Sequence, residues 1–242
     1  MANSPPTELL PVGMRGLHAS SFLKSVAHHE IRLTDRQRVA LMQIATRIVL
    51  PARSVVYHQD SPGGSVYAIT SGAVKGFRDL RRGKHAVTAF LFARDLFGLA
   101  EYGQYVNTTH TLSLTTMYRL PVMDLAHLLK HDAELQFKFL VKITHELRES
   151  QRRMVLMHRR DATGRLAMFI SMMSQRLGSE TAHAEIWLPM TRADIAGYIG
   201  LSTESVSRAA TALERRGLVV FDTPHEVRIV DPSAFSRLVA AV

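Results

Sequence analysis

The stretch Met190-Thr-Arg-Ala-Asp-Ile-Ala-Gly-Tyr-Ile-Gly-Leu-Ser-Thr-Glu-Ser-Val-Ser-Arg-Ala-Ala-Thr-Ala-Leu-Glu-Arg-Arg-Gly217 sets the frame for the rest of the chain. Thr191 stands where an N-cap would, and Ile195, Tyr198 and Ile199 form a narrow apolar stripe that ends at Gly200, a residue free to take the positive φ of a tight turn. Ser202 opens a second helix whose buried side would be Val206, Ala209, Ala210 and Leu213. Thr203, Glu204, Ser207 and Arg208 are left pointing outward at the front of that helix. A helix-turn-helix has this form, because the N-terminal residues of its second helix reach base edges in the major groove.

The flanking sequence extends the pattern. Leu218 to Phe221 and Val227 to Val230 flank Asp222-Thr-Pro-His-Glu226, which reads as a hairpin and hence a wing. Upstream, Leu140, Ile143, Leu147, Ser150, Met154 and Met157 are spaced 3, 4, 3, 4 and 3, the alternation that lays one seam against a partner helix. A single helix from about Val122 to His158 is expected, with the seam serving a homodimer. Asp161 then caps a further helix, about Ala162 to Leu177.

From Ile48 to about Leu120 the pattern is one of short strands separated by turns, as in an antiparallel sandwich or roll. The expected strands are Val55 to Tyr57, Val66 to Thr70, Ala73 to Phe77, Val87 to Phe92, Leu112 to Leu114 and Met117 to Leu120. Arg78, Arg81, Arg82 and Lys84 are a candidate contact for DNA or a polymerase subunit, although a solvated hairpin tip is the commoner meaning of such a cluster. Residues from Phe22 to Ile48 read as helical, with Thr34 as a cap and Val39, Leu41, Met42, Ile44 and Ala45 as packing positions. The first stretch, rich in proline and glycine, reads as an arm. The expected division is thus an arm at 1–21, a roll at 22–121, the dimerisation helix at 122–160 and a winged helix-turn-helix at 161–242.

Composition narrows the functions. The 242 residues, 46% hydrophobic, can bury one large core or two modest ones. A net charge of +9 and a pI near 10.2 suit a polyanionic partner, yet the excess is not concentrated in the helix-turn-helix: residues 1–141 hold 16 Lys and Arg against 10 Asp and Glu, and 142–242 hold 14 against 11. DNA binding therefore rests on the motif. With no cysteine in the sequence, disulfides, thiolate zinc sites and cysteine-held iron-sulfur clusters are excluded. No apolar run approaches the roughly 18 residues that span a bilayer, and no basic-then-hydrophobic leader precedes the fold. A cytoplasmic protein without membrane contact is the expectation.

An enzyme is the competing class. A cupin-type metal site needs a His-x-His pair with a carboxylate and a further His nearby, whereas His58 and His85 stand alone. Neither a Gly-x-Ser-x-Gly elbow nor a P-loop occurs. The paired His28 and His29 have no third ligand at a recognisable spacing, which favours a polar helix face over a metal or haem site.

Taken together, the roll, the long helix and Thr191-Arg-x-Asp-Ile-Ala-x-Tyr-Ile-Gly-Leu-Ser-x-Glu-Ser-Val-Ser-Arg208 with its wing resemble the CRP/FNR family of bacterial transcription regulators over about residues 22–232. The resemblance implies an α+β architecture: an N-terminal cyclic-nucleotide-binding-like β-roll (jelly roll), a long dimerisation helix and a C-terminal winged helix-turn-helix. It also implies a homodimer on a palindromic double-stranded DNA site, with RNA polymerase as a further partner.

The FNR and FixK branch of that family uses Glu-x-x-Ser-Arg, here Glu204, Ser207 and Arg208, while Thr203 occupies the position where the CRP branch carries an arginine. The implied half-site is TTGA-like, in a palindrome of the TTG-N8-CAA kind. A carboxylate accepts from cytosine N4 and a guanidinium forks onto guanine O6 and N7, each good pair giving about 1–3 kcal/mol of discrimination. Thr191, Arg192, Ser202 and Ser205 fall where the family meets phosphates.

The CRP branch binds cyclic nucleotide through a cassette resembling Phe-Gly-Glu-x-Ala followed by an arginine. Here Phe97-Gly98-Leu99 replaces the glutamate, and no arginine precedes Asn107-Thr108-Thr109. A buried cyclic phosphate without its countercharge is costly, which argues against cAMP. A FixK-like activator working without an effector fits these absences. A haem or other small-molecule sensor of the same fold is the alternative, since twelve histidines and eleven methionines supply ligands but no diagnostic constellation.

Overall fold

The computed structural model describes residues 33–80, 85–159, 161–177 and 185–240. Thr34 caps α1 (Asp35–Ile44) through a full capping box with Gln37, each side chain meeting the other's backbone N–H. The helix stops at Ile44 and the chain becomes extended, so Thr46 to Ile48 are strand and not helix. Val39 and Met42 are exposed, and the buried position of α1 is Gln37, which a periodicity argument over apolar residues passes over. The expected arm, the helix before Leu33, His28 with His29, and the tip Arg81 to Lys84 lie outside the described residues.

Eight strands follow: β1 (Thr46–Leu50), β2 (Val55–Tyr57), β3 (Ser65–Ser71), β4 (Ala73–Asp79), β5 (His85–Phe92), β6 (Leu96–Phe97), β7 (Thr108–Thr111) and β8 (Thr115–Pro121). They form two four-stranded antiparallel sheets, ordered β1-β8-β3-β6 and β2-β7-β4-β5, packed face to face as a jelly roll. Tyr57, Tyr67, Ile69, Val74, Leu91, Phe97 and Met117 fill the space between them. Leu112 to Leu114 is not a strand. It is the bend between β7 and β8, with Leu114 exposed, and the paired strand is the threonine-rich stretch before it.

The expected single helix after the roll is two: α2 (Val122–His131) and α3 (Ala133–His158). The break is Asp132, in an extended conformation at φ −136° and ψ 94°, whose carboxylate accepts from the Leu135 N–H at 2.8 Å and from the Gln37 amide of α1 at 3.2 Å. Downstream come α4 (Ala162–Leu177), β9 (Glu185–Trp187), α5 (Arg192–Ile199), α6 (Thr203–Arg215), β10 (Val219–Thr223), β11 (Glu226–Ile229) and α7 (Pro232–Ala240). The wing is a three-stranded sheet, β10-β11-β9, with Val219 opposite Ile229 and Val227 opposite Ile186.

The cores do not divide at the expected domain boundary. One cluster is internal to the roll. The other joins Ala73, Phe77, Val87, Phe90 and Phe92, on the outer side of β4 and β5, to Phe169, Ile170, Tyr198, Val206 and Leu213 of the C-terminal half. Phe90 meets Tyr198 with ring centroids 5.0 Å apart and Phe169 at 6.0 Å. The face of the roll remote from its own interior is therefore a wall of the helix-turn-helix.

The hydrogen bond from the Leu135 N–H, with that from Gln37, holds the Asp132 carboxyl below the ordinary carboxylate range. A depressed native pKa means that its stabilisation is complete above about pH 4 and is lost as pH falls through the native value. Asp132→Ala is expected to lower unfolding stability by about 1 kcal/mol in urea titrations at neutral pH, with the difference from wild type shrinking as the pH is taken below that range.

Candidate DNA-reading surface

Helix α5 begins with a reciprocal cap. The Thr191 hydroxyl accepts from the Asp194 N–H at 3.1 Å, and the Asp194 carboxylate accepts from the Thr191 N–H at 3.0 Å. The remaining oxygen of Asp194 takes a hydrogen bond from the Lys75 ammonium, which comes from β4 of the roll. Burial by itself would push the Asp194 carboxyl up, but the hydrogen bonds from Lys75 and from Thr191 outweigh it and leave the group below its usual range. Asp194 is thus ionised at neutral pH and holds the start of α5 against the roll.

Three further contacts fix the same helix. Arg153 of α3 donates to the Tyr198 carbonyl at 3.1 Å and to the Thr88 carbonyl at 3.3 Å, while its guanidinium lies 4.9 Å from the centre of the Tyr198 ring. Arg165 of α4 donates to the Ile199 and Gly200 carbonyls, each at 3.3 Å, satisfying acceptors that a helix end leaves open. Gly197 faces β5 so closely that a Cβ there would stand 3.0 Å from the His85 carbonyl oxygen. Glycine inside a helix costs about 0.5–1 kcal/mol relative to alanine, and here it permits the approach of α5 to the roll.

The turn and second helix follow the sequence pattern. Gly200 is left-handed at φ 69° and ψ 40°, and the Leu201 N–H returns to the Ala196 carbonyl at 3.0 Å. The Ser202 hydroxyl accepts from the Ser205 N–H at 3.1 Å, starting α6. Val206, Ala209, Ala210 and Leu213 are buried, which leaves Thr203, Glu204, Ser207 and Arg208 exposed on the opposite face. The Arg208 guanidinium is 3.4 Å from the Glu204 carboxylate, with both side chains about three-quarters exposed (73% and 76%). Such a surface pair contributes only about 0.3–0.5 kcal/mol, so its stabilising role is slight and its groups are open to an incoming partner.

Thr191 and Ser202 are exposed, while Arg192 and Ser205 are half-buried. Arg192 lies over the Phe221 ring of β10 at 4.9 Å, a contact that turns its guanidinium along the wing. The sequence offers no sign of that pairing, nor of Lys75 with Asp194, because the partners are far apart along the chain. The seam residues all fall on α3, where Leu140, Ile143, Leu147, Met154 and Met157 are 40–57% exposed and Ser150 is exposed among them.

Among the described residues no three histidine or acidic side chains converge as a metal site, and no helix is long and apolar enough to cross a membrane.

Residues 164–238 match the model of the Crp-like helix-turn-helix domain, and residues 47–132 that of the cyclic nucleotide-binding domain. The chain is 30% identical over 179 residues to the transcriptional activator protein anr of Pseudomonas aeruginosa, covering 73% of each. It is 28% identical over 221 residues to the nitrogen fixation regulation protein FixK of Azorhizobium caulinodans, covering 90% of this chain and 88% of that one. The solved structure of FixK2 from Bradyrhizobium japonicum aligns with a TM-score of 0.76 at 28% identity, over 82% of this chain and 99% of that one.

Replacing Lys75 by methionine removes the cation while keeping most of the aliphatic stem. Asp194 then stays half-satisfied by Thr191 alone, so Lys75→Met is expected to cost about 1–3 kcal/mol of unfolding stability, read by denaturant titration at neutral pH. Because the Asp194 pKa is depressed, the wild-type advantage is complete above the ordinary carboxylate range and is lost as pH falls through the native value.

Proposed function

Because this chain belongs to the CRP/FNR family of transcription regulators, we propose that it works as a homodimeric activator reading a palindrome of the TTG-N8-CAA kind. The observation that carries this is the front of α6. Glu204, Ser207 and Arg208 are exposed on a helix whose opposite face is buried and whose start is capped, so their positions are fixed while their polar groups remain free to be exchanged for base edges. Glu204 accepts from a cytosine N4, Arg208 donates to a guanine, Ser207 adds a hydroxyl, and Thr203 lies at the leading edge. Glu204 also orients Arg208 before DNA arrives.

Thr191, Arg192, Ser202 and Ser205 surround the starts of α5 and α6 and meet the phosphates through hydroxyls, exposed N–H groups and the Arg192 cation. The five apolar side chains along α3 support self-association, since exposed stripes of this kind are covered in stable proteins. Pairing there would set two copies of α6 about 34 Å apart, one turn of the double helix. RNA polymerase is the partner through which an activator of this kind would act.

The proposed activator needs no cyclic nucleotide in its roll. Its interior is taken by Tyr57 and Tyr105, stacked 3.8 Å apart, and by Tyr67 against Phe97 at 5.2 Å. Leu99 is about half exposed. With no cysteine in the sequence, the cluster of the FNR branch has no thiolate ligands either.

The test is transcription in vitro from a promoter carrying TTG-N8-CAA, with protein to which nothing has been added. Activation is expected, unchanged by cAMP, and the absence of activation on this site but not on another sequence would remove the assigned target. In gel shifts at fixed salt, Arg208→Ala is expected to lose about 1–3 kcal/mol and its preference at one G·C pair. Arg192→Ala is expected instead to weaken binding to all sequences and to lower the slope of affinity against salt.

A further inference from the structure

Helix α6 presents more to the outside than its first turns. Glu204, Arg208, Thr211 and Arg215 stand at spacings of 4, 3 and 4, which lays them in a single stripe along the helix. All four are exposed, and the stripe lies opposite the buried Val206, Ala209, Ala210 and Leu213. The face that offers Glu204 and Arg208 therefore runs on to the end of the helix, where it carries a second arginine.

The charge of Arg215 is not used within the fold. Arg208 has Glu204 at 3.4 Å, and Arg228 in the wing has Asp222 at 3.2 Å. Among the described residues Arg215 has no such ion-pair partner. The adjacent acid, Glu214, is engaged elsewhere, since its carboxylate accepts from the Phe221 N–H of β10 at 3.1 Å. A cation in the last turn also suits the helix dipole. Arg216, exposed at the C-cap, meets that preference as well, yet it stands about 120° round the helix from Glu204 and off the stripe.

Helix length decides what Arg215 can reach. It follows Glu204 by 11 positions, three turns and about 16 Å along the axis. The major groove is about 12 Å wide. A helix seated by its first turn thus carries its last turn beyond the base edges, to the level of the sugar-phosphate wall.

We propose that Arg215 binds a DNA phosphate, one in each half-site, holding the backbone at the exit of α6 while Glu204 and Arg208 read bases at its entry. A guanidinium on a phosphate makes a charge-assisted contact that is indifferent to sequence, so Arg215 contributes affinity and orientation rather than base preference. The helix is then tied to the backbone at both ends, by Ser202 and Ser205 at its start and by Arg215 at its exit. This inference rests on the DNA reading above and extends it to a residue which that reading leaves unused.

The experiment compares Arg215→Met, Arg215→Lys and Arg216→Met with wild type in gel shifts on a TTG-N8-CAA duplex over a series of salt concentrations. Both methionine variants lose one exposed cation, but only one of the two lies on the stripe. Arg215→Met is expected to bind about tenfold or more weakly near 0.1 M salt, with the slope of log affinity against log salt lower by about two, because each of two protomers gives up one phosphate at about 0.9. Base preference is expected to stay as in wild type, Arg215→Lys to restore the slope, and Arg216→Met to remain near wild type. Ethylation interference should reveal one phosphate per half-site whose modification hinders wild type and leaves Arg215→Met indifferent. Since Arg215 is exposed, its variants should melt near the wild-type temperature.

Equal affinities for Arg215→Met and Arg216→Met, or a changed base preference in Arg215→Met, would overturn the inference and leave the base reading in place. Retained affinity with lost activation in transcription would set this cation against a protein and overturn it likewise. Failure of the wild type to bind the palindrome would overturn the DNA reading and this inference with it.

Discussion

The contact between Lys75 and Asp194 is the joint on which the two halves of the molecule depend. Asp194 closes the capping box of α5, and the same carboxylate takes the ammonium offered by β4. Either role would be met by a surface residue, but combining them sets the start of the helix-turn-helix at a defined place on the roll. A partly buried ion pair of this sort gains little net energy, because desolvation offsets much of the attraction. What it contributes is position, since a carboxylate already held by Thr191 accepts from only one direction. Around it, Phe90, Tyr198 and Phe169 supply the apolar burial that makes the joint stable.

A second carboxylate plays the corresponding part. Asp95 is buried in the turn between β5 and β6, where it accepts from the Phe92 N–H at 2.8 Å and is paired with Lys142 of α3 and Arg176 of α4. Glu146 stands beside them, and burial, with the nearby charge of Asp95, pushes its carboxyl above the ordinary range. Roll, long helix and C-terminal half thus meet at a charged cluster as well as at an apolar wall. A network in which Lys142 and Arg176 serve Asp95, Glu146 and Glu149 has alternative pairings available, the condition for passing a change at one element to another.

The helix-turn-helix was legible because its determinants are local. A threonine cap, a left-handed glycine, a serine cap and a buried face at helical spacing all lie within 28 residues, and each is visible without knowing what surrounds it. The roll was only partly legible. Thr108 to Thr111 pairs with β4 although it lacks the apolar alternation of a strand, whereas the more apolar Leu112 to Leu114 turns a corner. Asp132 carries the signature of a cap, yet the stretch from Val122 to His158 was expected as a single helix. Least legible were the contacts that place the site, since Lys75 and Asp194 are 119 residues apart and Arg153 reaches carbonyls 45 and 65 residues away. Gly197 was the available hint: a glycine inside a short helix marks a close neighbour without naming it.

We propose that the exposed Glu204, Ser207 and Arg208, set by that joint, read DNA as one half of a twofold reader. Selection of binding sites from a random double-stranded DNA pool with the full chain tests it directly. Enrichment of a twofold motif with TTG and CAA arms separated by eight base pairs is expected. Enrichment of single unpaired arms, of a palindrome with other outer bases, or of no motif at all would contradict it.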